Sequence, residues 1–391
     1  MIRSQPLRIL MITPWYGVAE GGGVAIAIEN LVHGLQRCGA RIFVIKIVGD
    51  GWYPHFSRGA QNELIVRLPL RGRHECRGVK GVIGYWLRLP IADMTLLILG
   101  IVTRFQFVNF HYYAPPYEHL RKILRFLHYR FIASFQGSDI MVAPDCDGTR
   151  EALGYLVREA EKVVGVSGTL INELTRLFPE AATKCSVIHN TVDIDFIRSV
   201  SNAAPASELD IDVLFVGGLI PVKGPDLLVD AFHKVVQKRP GALLCLVGTG
   251  YMEEELRDTI RDRGIEANVK FAGFVPHQEL VNYYGRTKLI VMPSRSEGFP
   301  HVAMEAAICG KPVVAFNVGG LAELVEDGST GILVPPTDSD ALANAMLELL
   351  ESPSLAQRMG DQGRRRGMQA FDPSHMVQSY MTLYDAIIAR N

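Results

Sequence analysis

Two acids stand eight positions apart in residues 293–312, PSRSEGFPHVAMEAAICGKP: Glu297 in a Gly/Pro turn and Glu305 inside an apolar run. A carboxylate in an apolar run is costly unless something hydrogen-bonds it. Residues 289–292 read as a strand, so the turn lies at a strand's carboxyl end. Pro300 suits a first helical turn, where its missing N–H is no loss. Glu297 then stands with the amides of Gly298 and Phe299 just ahead of a helix, and Glu305 follows ~7 Å further along at 1.5 Å per residue. Two acceptors so offset suit an elongated polyhydroxylated ligand, and a carboxylate on ribose hydroxyls is a known use of an acid beside a nucleotide. The competing reading is a helix-start carboxylate plus a buried glutamate satisfied by backbone or arginine. Spacing alone leaves both open.

Two other turns could hold anions. In DVLFVGGLIPVKGPDLLVDAF, Gly217 and Gly218 end a strand, Lys223 and Gly224 form a turn, and Pro225-Asp226 opens a helix. Backbone amides, a helix N-terminus and a lysine make an anion site. The pattern is neither a Walker motif nor G-x-G-x-x-G, and a plain surface lysine is the alternative. In TPWYGVAEGGGVAIAIENL, Gly21, Gly22 and Gly23 precede a helix. They allow a phosphate or sugar to approach the backbone, or they form a flexible loop.

These turns need strands to end on and helices to start. Strands are expected at residues 8–13, 41–48, 106–110, 130–135, 163–166 and 186–188, and a helix at 24–37 ending on Cys38-Gly39. SNAAPASELD, residues 201–210, reads as a linker. The pattern then restarts with strands at 213–216, 243–247, 269–271, 289–292, 312–316 and 331–334. Such alternation predicts an α/β chain of two doubly wound, Rossmann-like domains with parallel sheets. Ligands in such sheets bind at the carboxyl ends of strands, here in a cleft the two domains face. The expected division is an N-terminal domain 1–200, linker 201–210, C-terminal domain 211–370, and a last amphipathic helix within 371–391 whose docking site the sequence does not fix, the first domain being one candidate.

The 391 residues allow two or three domains. With 48% hydrophobic residues, 21% charged residues and a net charge of −1, nothing draws the chain to nucleic acid. Six scattered cysteines without C-x-x-C favour reduced thiols in the cytoplasm. The N-terminus runs straight into a strand and is not read as a signal peptide. The longest apolar run, residues 94–102, is too short to span a bilayer, so a soluble chain is expected, with room for peripheral contact at the inner face of a membrane.

Taken together the motifs resemble a known family. EGFPHVAME is similar to the E-x7-E motif of retaining glycosyltransferases of family 4, which have the GT-B fold. VGGLIPVKGPDLLVDAF resembles that family's VGRL-x4-KG-x3-L segment, and LVGTGYMEEEL its G-x-G loop. VIHNTVD, FQGSDI, VSGTLINEL and the glycine run echo other segments. The match is dense over residues 211–350 and looser before them. The resemblance implies a nucleotide-sugar donor, a sugar, lipid-linked or other hydroxyl acceptor, retention of anomeric configuration, and no metal or other cofactor. Surface polysaccharide or glycoconjugate synthesis is the expected setting.

By that resemblance Glu305 holds ribose hydroxyls and Glu297 meets sugar hydroxyls with the Gly298 and Phe299 amides. Lys223 neutralises the leaving diphosphate, Gly22 and Gly23 cap the diphosphate and acceptor side, and Phe274 and Val275 face the base. Two positions depart from the family pattern: Gly218 stands where an arginine is usual, and Gln136, in SFQGSD, where a histidine is often found. Gln136 can hydrogen-bond a sugar but cannot titrate, and Arg295 is a candidate substitute for the missing cation. The expected catalytic residues are Lys223, Glu297 and Gln136, and Gly218 stays among the donor-binding positions.

Two stretches point to the acceptor. Residues 67–88 carry six Lys/Arg against one Glu, with Tyr85 and Trp86 following; they suit an anionic acceptor or a membrane face, or form a solvated loop. His111, Tyr112 and Tyr113 follow a strand and either stack on an acceptor sugar or belong to the core. Two rival functions remain at this point: a catalytically weak or inactive partner subunit, for which Gly218 and Gln136 speak, and a nucleotide-sugar epimerase of the same fold.

Overall fold

The computed structural model describes residues 6–16, 22–70, 78–114, 116–141, 149–193, 196, 199 and 210–389. Residues 201–209 of the expected linker and 71–77 of the basic run lie outside them. The chain divides into two compact units, Met1–His189 with Met376–Asn391, and Asn190–His375. The division thus falls ahead of the expected linker. Thr191 and Val192 are buried, and the Val192 amide donates to the carbonyl of Phe371, within the second unit.

The first unit carries β1 (Arg8–Thr13), β2 (Arg41–Val48), β3 (His55–Arg58), β4 (Leu64–Pro69), β5 (Phe107–His111), β6 (Arg130–Phe135), β7 (Lys162–Gly165) and β8 (Cys185–Val187). They form one sheet in the order β3-β4-β2-β1-β5-β6-β7-β8. All pairs are parallel except the edge hairpin of β3 on β4. The hairpin was not expected, because HFSR has neither the alternation nor the apolar content of a core strand and is almost wholly exposed. β5, FVNFH, is buried at every position, as a central parallel strand covered on both faces must be. The helix Gly23–Arg37 ends on Gly39, whose φ of 85° is a left-handed stop that a side chain would resist.

The core of this unit joins Ile9, Leu31 and Val44 to Tyr380, Tyr384 and Ile387 of the helix Pro373–Ile388. A short polar chain runs through it. Tyr380 Oη donates to Ser134 Oγ at 3.1 Å, Ser134 Oγ to Asn109 Oδ1 at 2.9 Å, and Asn109 Nδ2 to Tyr384 Oη at 3.1 Å. Buried groups paired in this way fix the seat of the helix more tightly than apolar contact alone.

The apolar run 94–102 proves to be the end of a much longer helix, Gly78–Thr103. Its stretch Ile83–Thr103 is, by length and composition, long and apolar enough to cross a membrane, which corrects the expectation from the short run. Residues 83–93, IGYWLRLPIAD, extend the apolar stretch upstream with only Arg88 and Asp93 charged. Pro90 sits within the helix on an exposed position.

The second unit carries β9 (Ile211–Val216), β10 (Leu244–Val247), β11 (Val269–Gly273), β12 (Thr287–Met292), β13 (Val313–Phe316) and β14 (Gly331–Val334), all parallel, in the order β11-β10-β9-β12-β13-β14. Helices Pro225–Lys238 and Ser339–Glu351 cover a core of Val213, Phe232, Leu246, Leu289 and Met346. The order runs outward in both directions from β9 and β12, as in dinucleotide-binding sheets. The crevice beyond the carboxyl ends of those two strands is therefore where a ligand fits.

Candidate active site

The loops after β9 and β12 meet at that crevice. Gly224 has φ 65°, and a Cβ there would fall 2.0 Å from the carbonyl oxygen of Pro293, so only glycine lets the two loops touch. The contact sets Lys223 against the turn that carries Glu297. Lys223 Nζ reaches both carboxylate oxygens of Glu297, at 2.7 and 2.9 Å, and Ser294 Oγ donates to the first of them at 2.7 Å. Glu297 is buried, whereas a third of the Lys223 side chain remains exposed. A cation so placed is neutralised by its neighbour yet still reachable. From the far side Gly319, at φ 52°, packs under Glu297, where a Cβ would strike the Glu297 carbonyl at 1.9 Å.

Gly298 and Phe299 are buried and lead into the helix His301–Ile308, with Pro300 as its N-cap, one position before the expected place. On this helix Glu305 is 2% exposed and doubly bound. His277 Nε2 lies 2.7 Å from Oε1, and Tyr284 Oη donates to Oε2 at 2.8 Å. The His277 ring stacks on Phe196, 5.1 Å between centroids. Burial works to raise the Glu305 pKa, but the hydrogen bond and charge of His277 prevail and hold it below the usual value. His277 moves the opposite way: burial would lower it, and Glu305 raises it. Both shifts favour the charged pair, Glu305 carboxylate on His277 imidazolium.

Glu305 is thus satisfied within the chain, by an aromatic, histidine-capped box. Neither His277 nor Tyr284 was foreseen, since both lie more than twenty residues away in GFVPHQELVNYYGR and follow no motif spacing. His301 was also missed. It is buried, its Nε2 has no hydrogen-bond partner among the described residues, and burial pushes its pKa down to about 4, so the ring is neutral. It feels the charges of Glu305 and Lys223 alike.

Arg295 does not fill the place of the missing arginine. Its guanidinium grips Asp226 through two bonds, 3.0 and 2.6 Å, and donates to the carbonyl of Pro221. At Gly218 itself there is room: a Cβ would meet nothing nearer than 3.6 Å. Phe274 is exposed and Val275 half-buried, in the turn just before His277.

In the first unit the loops after β1, β5 and β6 also end side by side. Gly22, with φ 96°, is the N-cap of the helix that begins at Gly23. Among the three acceptor candidates, only Tyr112 reaches a surface. His111 is 1% exposed with neither ring nitrogen partnered among the described residues, and burial pushes its pKa to about 3; Tyr113 is buried as well. These two belong to the core, because β5 continues through His111. Tyr112 takes a left-handed φ of 59°, which turns its ring against Trp15, 4.4 Å between centroids, and places its hydroxyl 2.9 Å from Ser138 Oγ. Gln136 is nearly buried, and its backbone is pinned by Asp139, which accepts from the amides of Gln136, Gly137 and Tyr113. Among the described residues no group of three or more His, Cys, Asp or Glu side chains is placed to hold a metal ion.

Two family models match the chain one after the other. Residues 21–196 fit "Glycosyltransferase Family 4" and residues 198–366 fit "Glycosyl transferases group 1". The chain belongs to these glycosyltransferases. A curated relative, glycogen synthase of Mycobacterium tuberculosis (strain CDC 1551 / Oshkosh), is 33% identical over 221 residues, 56% of this chain. The match spans 52% of that protein, so the chain covers about half the length of such a relative. Among solved structures, sucrose-phosphate synthase from Thermosynechococcus elongatus superposes with a TM-score of 0.78 at 22% identity, covering 98% of this chain and 100% of the other. HepE of Anabaena, in complex with UDP-glucose, gives 0.73 at 21% identity over 97% and 100%. The fold of two Rossmann-like units is therefore that of the GT-B glycosyltransferases.

Proposed function

We propose that this chain is a retaining glycosyltransferase, taking a sugar from a nucleoside-diphosphate donor to a hydroxyl of a glycan or lipid-linked acceptor in surface polysaccharide or glycoconjugate synthesis. The observation that carries this reading is the Lys223–Glu297 pair at the crevice between β9 and β12. As the glycosidic bond breaks, the sugar gains positive and the diphosphate negative charge. The Lys223 ammonium is reachable and can leave Glu297 for the diphosphate, where it stabilises charge that develops only in the transition state. Glu297, still held by Ser294, then accepts from sugar hydroxyls. Glu305 carries further lone pairs for ribose hydroxyls beside His277, and the Trp15–Tyr112 platform suits an acceptor sugar. HepE was solved with UDP-glucose, which makes that donor the first to try.

A thermal melt against UDP, GDP, ADP and their sugars tests the donor site. A ligand at 100 times its dissociation constant adds about 2.7 kcal/mol. Turnover of the donor that shifts the melt is expected to fall about 10²–10³-fold in Lys223→Met, with the transferred sugar keeping its anomeric configuration by proton NMR. An inverted product ends the retaining reading. Unchanged turnover removes Lys223 from the chemistry. A partner subunit that binds donor without turning it over is the second reading, favoured by Gly218 and Gln136; donor binding with no transfer to any acceptor supports it.

A further inference from the structure

The first unit carries an apolar surface that neither catalysis nor the core uses. On the helix Gly78–Thr103 the side chains of Ile83, Trp86, Leu87, Met94, Ile98 and Ile101 recur at helical spacing along one line, and each is more than half exposed. The line is ~27 Å long at 1.5 Å per residue. The opposite face is fully engaged: Leu89, Ala92, Leu96 and Leu99 are buried. Thr95 and Thr103 hide their hydroxyls on the carbonyls of Ile91 and Leu99. Exposed patches of this size mark an interaction site in a soluble fold.

We infer that this face lies in the interface of an anionic lipid bilayer, with the helix parallel to the membrane plane. The buried face excludes a spanning helix, because crossing would tear Leu96 and Ala92 from the core. Charge selects the partner. The one acid of the helix, Asp93, is taken up by His119 at 2.6 Å. Arg88 flanks the stripe and stacks on exposed Trp52 at 4.5 Å, and Arg104 is exposed just past the helix end. In sequence, residues 67–80 carry Arg67, Arg71, Arg73, Arg77 and Lys80 against Glu75 alone. An apolar stripe that includes Trp86, with cationic flanks and with Trp52 and Tyr53 also exposed, is the chemistry of an interfacial anchor, rings and aliphatics at the acyl boundary and arginines on the headgroups. A second copy of this chain would bring the same cations against each other.

The test is flotation of the full chain with vesicles of phosphatidylcholine alone or with about a quarter phosphatidylglycerol. The parent is expected to float with the anionic vesicles, less so at high salt. The double variant Leu87→Glu/Ile98→Glu should lose at least about ten-fold in partitioning while its melting temperature stays that of the parent. A parent that stays with the soluble fraction on anionic vesicles overturns the inference. So does a double variant that floats like the parent. A parent that sediments as a dimer and a double variant that sediments as a monomer assign the face to a second copy instead. No donor or acceptor enters the experiment, so its failure is separate from that of the catalytic reading.

Discussion

Removing the Glu305 carboxylate tests the box that encloses it. In Glu305→Ala the His277 imidazolium, 10% exposed at its side chain, and the fully buried Tyr284 hydroxyl both lose their partner. Breaking a buried ion pair from one side costs roughly 3–5 kcal/mol. For a unit the size of Asn190–His375, each kcal/mol moves the melting temperature by roughly 2–4 °C, so a fall of roughly 6–20 °C is expected. Glu305→Gln keeps an acceptor for both neighbours and should lose far less. The pH dependence follows from the shifts. His277 is raised above its ordinary 6.5, so its share of stability is complete below that value and is lost as pH rises through the raised one. Glu305 is lowered from 4.5, so its share is complete above 4.5 and is lost as pH falls through the depressed one. The gap between parent and Glu305→Ala should therefore be widest between pH 4.5 and 6.5. Calorimetry across that range decides it. Equal melting temperatures at pH 5.5, about the middle of the window, would show that the pair does not hold the fold together.

Two other outcomes follow. Gly218→Arg meets no clash at its Cβ and should tighten nucleoside-diphosphate binding about ten-fold, the gain of one charge-assisted bond of roughly 1.5 kcal/mol; titration calorimetry showing no gain would place the diphosphate elsewhere. Asp139→Asn turns an NH2 group toward amides that now donate to a carboxylate, at a cost of roughly 1–3 kcal/mol. Hydrogen exchange should then speed up at Gln136, Gly137 and Tyr113, and unaltered protection there would mean that Asp139 does not pin the loop.

The strands were legible because central parallel strands are continuous apolar runs: RILMIT, RIFVIKIV and RFIASF have the observed bounds of β1, β2 and β6. The edge strand HFSR lacked that signal, and the helix Gly78–Thr103 was obscured by its glycines and by Pro90. At the site, Lys223, Glu297 and Glu305 could be picked out from turn chemistry and from a charge in an apolar run. What they touch could not. Ser294 sits three residues from Glu297, but Lys223 is 74 residues away and His277 28 residues from Glu305, and only the strand order brings such pairs together. His111 misled because a polar residue at the end of a strand reads the same whether the strand stops before it or runs through it.

The helix Pro373–Ile388 is made only after the second unit, and it completes a core whose other members were made before that unit. Between His189 and Met376 the whole second unit is translated, which at 5–20 residues per second takes about 10–40 s. Throughout that interval Ile28, Leu31 and Leu35 have no Tyr380 or Tyr384 to pack on, and Asn109 and Ser134 lack their phenol partners. Nascent first units thus wait half-built until the second unit has been made. A stop codon at Met376 would leave a chain whose second unit resists protease and whose first unit is digested, with a lining stripped from one sheet and not merely a tail shortened.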